Sequence, residues 1–182
     1  AVTLIVQVSE LQNAVHSLKD KPDLVITDSQ AFAEVAAILP SDIPLTSFSI
    51  LFARYKGELS KAVEGANKLK SLSDGDKVLI SEGCTHHRQC KDIGSVLLPG
   101  WIEKYSGRKL HFSFTSGGEF PESPEDYALV VHCGGCMLTE NEMKSRIGRC
   151  AQKGVPITNY GIAIAEMKGI LERSLEVFTK KE

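Results

Sequence analysis

Three cysteines, Cys84, Cys133 and Cys136, sit in glycine- and histidine-bearing segments and together could hold one metal centre. Cys84 lies in Glu82-Gly83-Cys84-Thr85-His86-His87, and the other two in His132-Cys133-Gly134-Gly135-Cys136. The glycine pair lets the backbone turn tightly enough for Cys133 and Cys136 to face the same metal. Zinc would take the three thiolates and one imidazole in a tetrahedral set. An iron–sulfur cluster would take the thiolates and leave one iron with an unusual fourth ligand. A thiol redox pair would use Cys133 and Cys136 without needing Cys84. Ligand type and spacing leave these readings open.

Five cysteines is an odd number, and the first 83 residues contain none of them. Such clustering in a chain of this length favours metal or redox chemistry over a disulfide scaffold. His86 and His132 are candidates for direct ligation or for orienting a ligand by hydrogen bonding. His87 reads as an exposed neighbour, Cys90 as a thiol that is not a ligand, and Cys150 as a packed side chain in a helix. His16 and His111 have no cysteine near them in sequence. Asn159-Tyr160-Gly161 reads equally well as a turn with a helix cap and as support for the site.

These residues need elements to bring them together, and the chain supplies strands alternating with helices. Expected strands are Val2 to Val8, Asp23 to Thr27, Ile43 to Thr46, Lys77 to Ser81, Lys109 to Thr115, Tyr127 to Val131 and Val155 to Thr158. Expected helices include one from Ser9, one ended by Pro40, a long one over residues 49–72, and a last one from Gly161 to Phe178. Residues 92–105 read as a helix interrupted near Pro99-Gly100, and Thr139 followed by Glu142 makes a capping box for a helix to Gln152. Such alternation implies α/β architecture: two small α/β domains with mainly parallel sheets flanked by helices. The turn Ser73-Asp74-Gly75-Asp76 places their boundary, giving residues 1–73 and 74–182. Both cysteine segments directly follow strands, so a parallel sheet would gather them at one C-terminal edge, where such folds bind ligands. The positive end of the helix after Thr139 would favour thiolates there.

Composition narrows the function classes. The 182 residues are 42% hydrophobic and 24% charged, with a formal net charge of -2. This balance gives no electrostatic reason to expect nucleic acid or an anionic membrane as partner. No apolar run approaches the roughly 20 residues of a membrane-spanning helix. The first residues read as a strand rather than a signal peptide, as in a fragment of something longer.

The pair Cys84-Thr85-His86 and His132-Cys133-Gly134-Gly135-Cys136 resembles the signature of the HydF family, the GTPase and scaffold of [FeFe]-hydrogenase maturation. Leu45-Thr46-Ser47-Phe48-Ser49-Ile50, Asp74 to Ile80 and Pro156-Ile157-Thr158-Asn159-Tyr160-Gly161 are similar to family runs, so the resemblance covers essentially the whole chain. It implies that residues 1–73 are a dimerisation domain and residues 74–182 a cluster-binding domain. It further implies a [4Fe–4S] cluster on Cys84, Cys133 and Cys136, with His86 and His132 as accompanying site residues. The implied function is a cytoplasmic, homodimeric scaffold. It would carry a transient diiron precursor made with radical-SAM maturases and deliver it to apo-hydrogenase. The family's GTPase domain is not resembled. With no G-x-x-x-x-G-K-[ST] loop, neither GTP binding nor enzymatic activity is expected of this chain.

Overall fold

In a computed structural model describing residues 2–83 and 93–179, β1 (Val25–Thr27) and β2 (Leu45–Ser47) form a small parallel sheet. α1 (Leu11–Ser17) precedes it and α2 (Phe32–Ile38) connects its strands. Two short strands bury too little to stand alone. Here they are covered by helices from both ends of the chain. α3 (Phe48–Lys56) and α4 (Leu59–Asn67) follow β2 and lead into the second sheet.

That sheet has four parallel strands in the order β4-β3-β5-β6. They are β3 (Lys77–Ser81), β4 (His111–Thr115), β5 (Leu129–His132) and β6 (Ile157–Asn159). The helices α5 (Leu98–Ser106), α6 (Glu140–Gln152), α7 (Tyr160–Met167) and α8 (Leu171–Thr179) complete the chain. Strand side chains alternate between two faces. Leu79 and Val130 meet Met143, Ile147 and Cys150 of α6, whereas Val78, Ile80, Leu129 and Val131 meet Leu98, Ile102 and Ile162 of α5 and α7. Both faces are therefore covered, as a parallel sheet requires. Each such fully buried aliphatic side chain is worth about 1.5–3 kcal/mol relative to exposure.

The second of these clusters of buried residues runs on into the first sheet through Phe32, Val35, Leu45 and Ile50. Across the chain, Arg173 of α8 donates to the carbonyls of Ala36, Leu39, Pro40 and Ile43. α4 lies on the backbone of the edge strand β6 so closely that a Cβ on Gly65 would stand 2.1 Å from the Ile157 carbonyl oxygen. The expected turn is present, with Asp76 N donating to Ser73 O at 3.1 Å. α4 crosses to the second sheet before that turn is reached.

Several elements differ from expectation for local reasons. Among the described residues, 2–7 form no ladder despite their β-rich composition, and Ile5 is 91% exposed. Strand propensity is realised only where an edge is available. The long helix over residues 49–72 divides at Gly57, whose extended backbone separates α3 from α4. The last helix divides at Gly169, where φ is +69°, a left-handed value that ends α7. The helix expected over residues 92–105 changes character just ahead of Pro99: Ile93–Leu97 is a π-helical turn that runs directly into α5, and Pro99 lies in the first turn of α5.

Candidate functional site

The connections from β3 and β5 leave in opposite directions across the sheet. β3 leads to β4 on one side, and β5 leads to β6 on the other. The crevice between the C-terminal ends of β3 and β5 is thus a topological switch point, the standard ligand position of open parallel sheets. Gly83, the residue before Cys84, lies on one side of it, and the Cys133–Cys136 loop lies on the other.

Backbone hydrogen bonding carries the strand pairing of β5 into this loop. Cys133 N donates to Ser81 O at 2.8 Å. The sulfur then receives two backbone donors, Gly83 N at 3.1 Å and Gly135 N at 3.4 Å. Donors converging on sulfur favour its thiolate. The turn depends on Gly135, whose φ is +66°. Cys136 is exposed. Thr139 caps α6 by accepting from Glu142 N at 3.2 Å, as the sequence leads one to expect. Glu140 and Glu142 stand in that first turn and take up the favourable end of the helix dipole themselves.

His132 is buried at the end of β5, and both its ring nitrogens have partners. Nδ1 meets the Cys133 carbonyl oxygen at 2.8 Å, and Nε2 receives Nη1 of Arg146 at 3.0 Å. A guanidinium donates and cannot accept, so Nδ1 carries the ring proton. Burial holds the imidazole's pKa down to about 4, opposed by the hydrogen bond at Cys133. Arg146 is itself 1% exposed. Its charge is met by Glu142 Oε1 at 2.7 Å, Gly117 O at 2.6 Å and the face of Phe120, 5.2 Å from the guanidinium carbon.

The first part of the chain also reaches the loop. Lys56 Nζ donates to the carbonyls of Gly135 (3.3 Å), Cys136 (2.9 Å) and Leu138 (2.9 Å). Asn159 Nδ2 donates to Ser49 O at 2.8 Å, while its Oδ1 accepts from Ile162 N and caps α7. Tyr160 donates to buried Glu82 at 3.4 Å, just before Gly83. The run Asn159-Tyr160-Gly161 thus both caps a helix and braces this edge.

Cys84 and His86, with His87 and Cys90, lie outside the described residues. Cys133, Cys136 and His132 are brought to one edge. Cys150 is not at this edge: it is buried under the sheet, and burial pushes its thiol up to about 12. His16 and His111 are exposed on α1 and β4. Among the described residues no three His, Cys, Asp or Glu side chains are grouped to hold a metal ion. The donor set at Cys133 nevertheless suits a thiolate-ligated group, because its sulfur is already supplied with N–H donors. Lys56 and Arg146 escape sequence reading. The spacing of Glu142 and Arg146, four residues apart on one helix, was a local signal for Arg146, and Lys56 had none.

Fold and edge together define a doubly wound α/β protein with a cysteine-bearing switch point. The chain belongs to the hydrogen maturase F family: that family's dimerization domain model matches residues 1–57, and its tetramerization domain model matches residues 60–177. The resemblance noted in the sequence is thereby shown, and with it involvement in hydrogenase maturation. Both matched domains are named for oligomerisation, which supports self-association of the chain; neither is a catalytic domain. No curated protein matches the chain. No helix among the described residues is long and apolar enough to cross a membrane.

Proposed function

We propose that this chain is a cytoplasmic carrier in hydrogenase maturation, not itself an enzyme, whose cargo is a diiron precursor destined for apo-hydrogenase. Cys84, Cys133 and Cys136 would hold a [4Fe–4S] cluster. When bound, such a cluster supplies an iron whose remaining position can exchange ligands with the cargo. Radical-SAM maturases and apo-hydrogenase are the partners this reading requires, with the working unit a homodimer.

The observation that carries the reading is the pair of backbone N–H groups on Cys133 Sγ, one from each of the two segments that bear cysteines. Gly83 and Gly135 favour a thiolate at a fixed point of the switch crevice. His132 orients the Cys133 peptide through its carbonyl. Tyr160 and Asn159 brace the strand ends on either side.

Anaerobic reconstitution with iron and sulfide tests the reading. The expected product is brown, holds about four irons per chain, and gives an electron paramagnetic resonance signal on reduction. Cys133→Ser and Cys136→Ser should each lose most of that iron. A colourless protein with one tightly held zinc would overturn the cluster. So would a reversible Cys133–Cys136 disulfide in a chain that takes up no metal.

A further inference from the structure

Lys56 closes α3 and belongs to the segment matched by the dimerization model, whereas the Cys133–Cys136 loop belongs to the segment matched by the tetramerization model. An ammonium has three donors and no acceptor. At Lys56 the three meet three carbonyls of a single loop, at 3.3, 2.9 and 2.9 Å. The same ammonium stands 4.9 Å from the centroid of the Phe52 ring, one turn earlier on α3. Its charge is thus met by carbonyl dipoles and a ring face.

The loop is consequently sorted by polarity. Gly135 turns its carbonyl to Lys56 and its N–H to Cys133 Sγ, across one residue. The carbonyls of Cys136 and Leu138 follow the first toward α3. A carbonyl turned the other way would face sulfur with its negative end and oppose a thiolate. Gly135 has the conformational freedom to turn either way.

We propose that Lys56 is a positioning residue for the thiol site: through this one ammonium, the dimerisation part of the chain holds the Cys133–Cys136 loop with its carbonyls away from sulfur. The site is then completed across the two matched domains, by a residue distant in sequence from the cysteines. In its metal-binding consequences the inference rests on the function proposed above; in its consequences for the loop it does not.

The test compares the full chain with Lys56→Met, which keeps the stem, and Lys56→Arg, which keeps the charge. In the reduced metal-free protein, amide hydrogen exchange at residues 135–138 should rise about tenfold or more in Lys56→Met. Exchange in β5 and in the middle of α6 should stay unchanged. Zinc, used as an iron-independent probe of the thiolates, should bind Lys56→Met about tenfold more weakly. After iron and sulfide reconstitution, the reduction potential of Lys56→Met should fall, since a cation near the loop favours the more negative, reduced state. Lys56→Arg should recover part of each effect. Loop exchange unchanged in Lys56→Met would overturn the inference, as would loosening spread equally through α3 and its core neighbours. A loosened loop in a protein that accepts no cluster would uphold Lys56 and overturn the cluster.

Discussion

Nη1 of Arg146 stands 3.0 Å from Nε2 of His132, and both residues are 1% exposed. This contact fixes the imidazole tautomer and, through Nδ1, ties the Cys133 carbonyl to α6. A buried guanidinium is costly to strand, so its partners are held as firmly as it holds them.

Nitrogen-15 NMR of the reduced metal-free chain should find the His132 proton on Nδ1. Arg146→Leu removes donors to His132, Gly117 and Glu142 and should cost about 2–4 kcal/mol, read from urea unfolding. It should also leave the ring in a mixture of tautomers. An Nδ1-protonated ring retained in the variant would show that Arg146 does not set the tautomer.

The hydrogen bond from Arg146 holds the Glu142 carboxyl below its ordinary value of 4.5, aided by the charges of Arg146 and Arg149. A carboxylate with a lowered folded-state pKa adds stability that is present above its unfolded pKa and lost as pH falls. The wild-type advantage over Glu142→Gln should therefore be full at pH 6 and shrink below about pH 4.5. Glu142 is 38% exposed, so screening keeps the effect small. Unfolding midpoints across that range are the measurement, and an advantage growing on acidification would refute the assignment.

Three glycines should respond differently to alanine. Gly65→Ala drives a Cβ into the Ile157 backbone and should cost about 3 kcal/mol or more. Gly135→Ala forces a left-handed alanine whose Cβ would stand 2.7 Å from Met143 Sδ, a side chain able to move, and should cost about 1–2 kcal/mol. Gly100 is helical with open space around it, so Gly100→Ala should stabilise by about 0.5–1 kcal/mol. Thermal unfolding of the three variants ranks them directly.

Alkylation of the native reduced chain with iodoacetamide at pH 8 should label Cys136 and spare Cys150. Cys136 is exposed, whereas burial removes Cys150 from contact and pushes its thiol up to about 12. Peptide mass spectrometry reads both sites. Labelling of Cys150 at the rate of Cys136 would contradict its packing under the sheet.

What could be read from the sequence was the local part of the structure. Lys77–Ser81 forms β3 as its apolar run implies, and Thr139 caps α6 by accepting from Glu142 N, although the Glu142 carboxylate turns to Arg146 and leaves the expected box half made. Placement of Gly83 and the Cys133–Cys136 loop at one sheet edge needed only strand order in the chain and a parallel sheet. Helix divisions at Gly57 and Gly169 were harder, because apolar periodicity runs on across a glycine that the tertiary packing uses as a break. Lys56 meets its carbonyl partners 79 to 82 residues away, and no pattern in its own helix announces them. His132 could be singled out as a candidate from the sequence, but not that Arg146 would occupy its second nitrogen.

The latch made by Arg173 spans 130 to 137 residues of sequence. A chain emerging in order from the ribosome completes β1 and β2 long before α8 exists to cover β2. Such distant closures are paid for in loop entropy and slow folding. The N-terminal sheet must wait, incompletely covered, for the last helix. Covering of the sheet in the part named for dimerisation thus depends on α8, a helix that lies outside that matched segment.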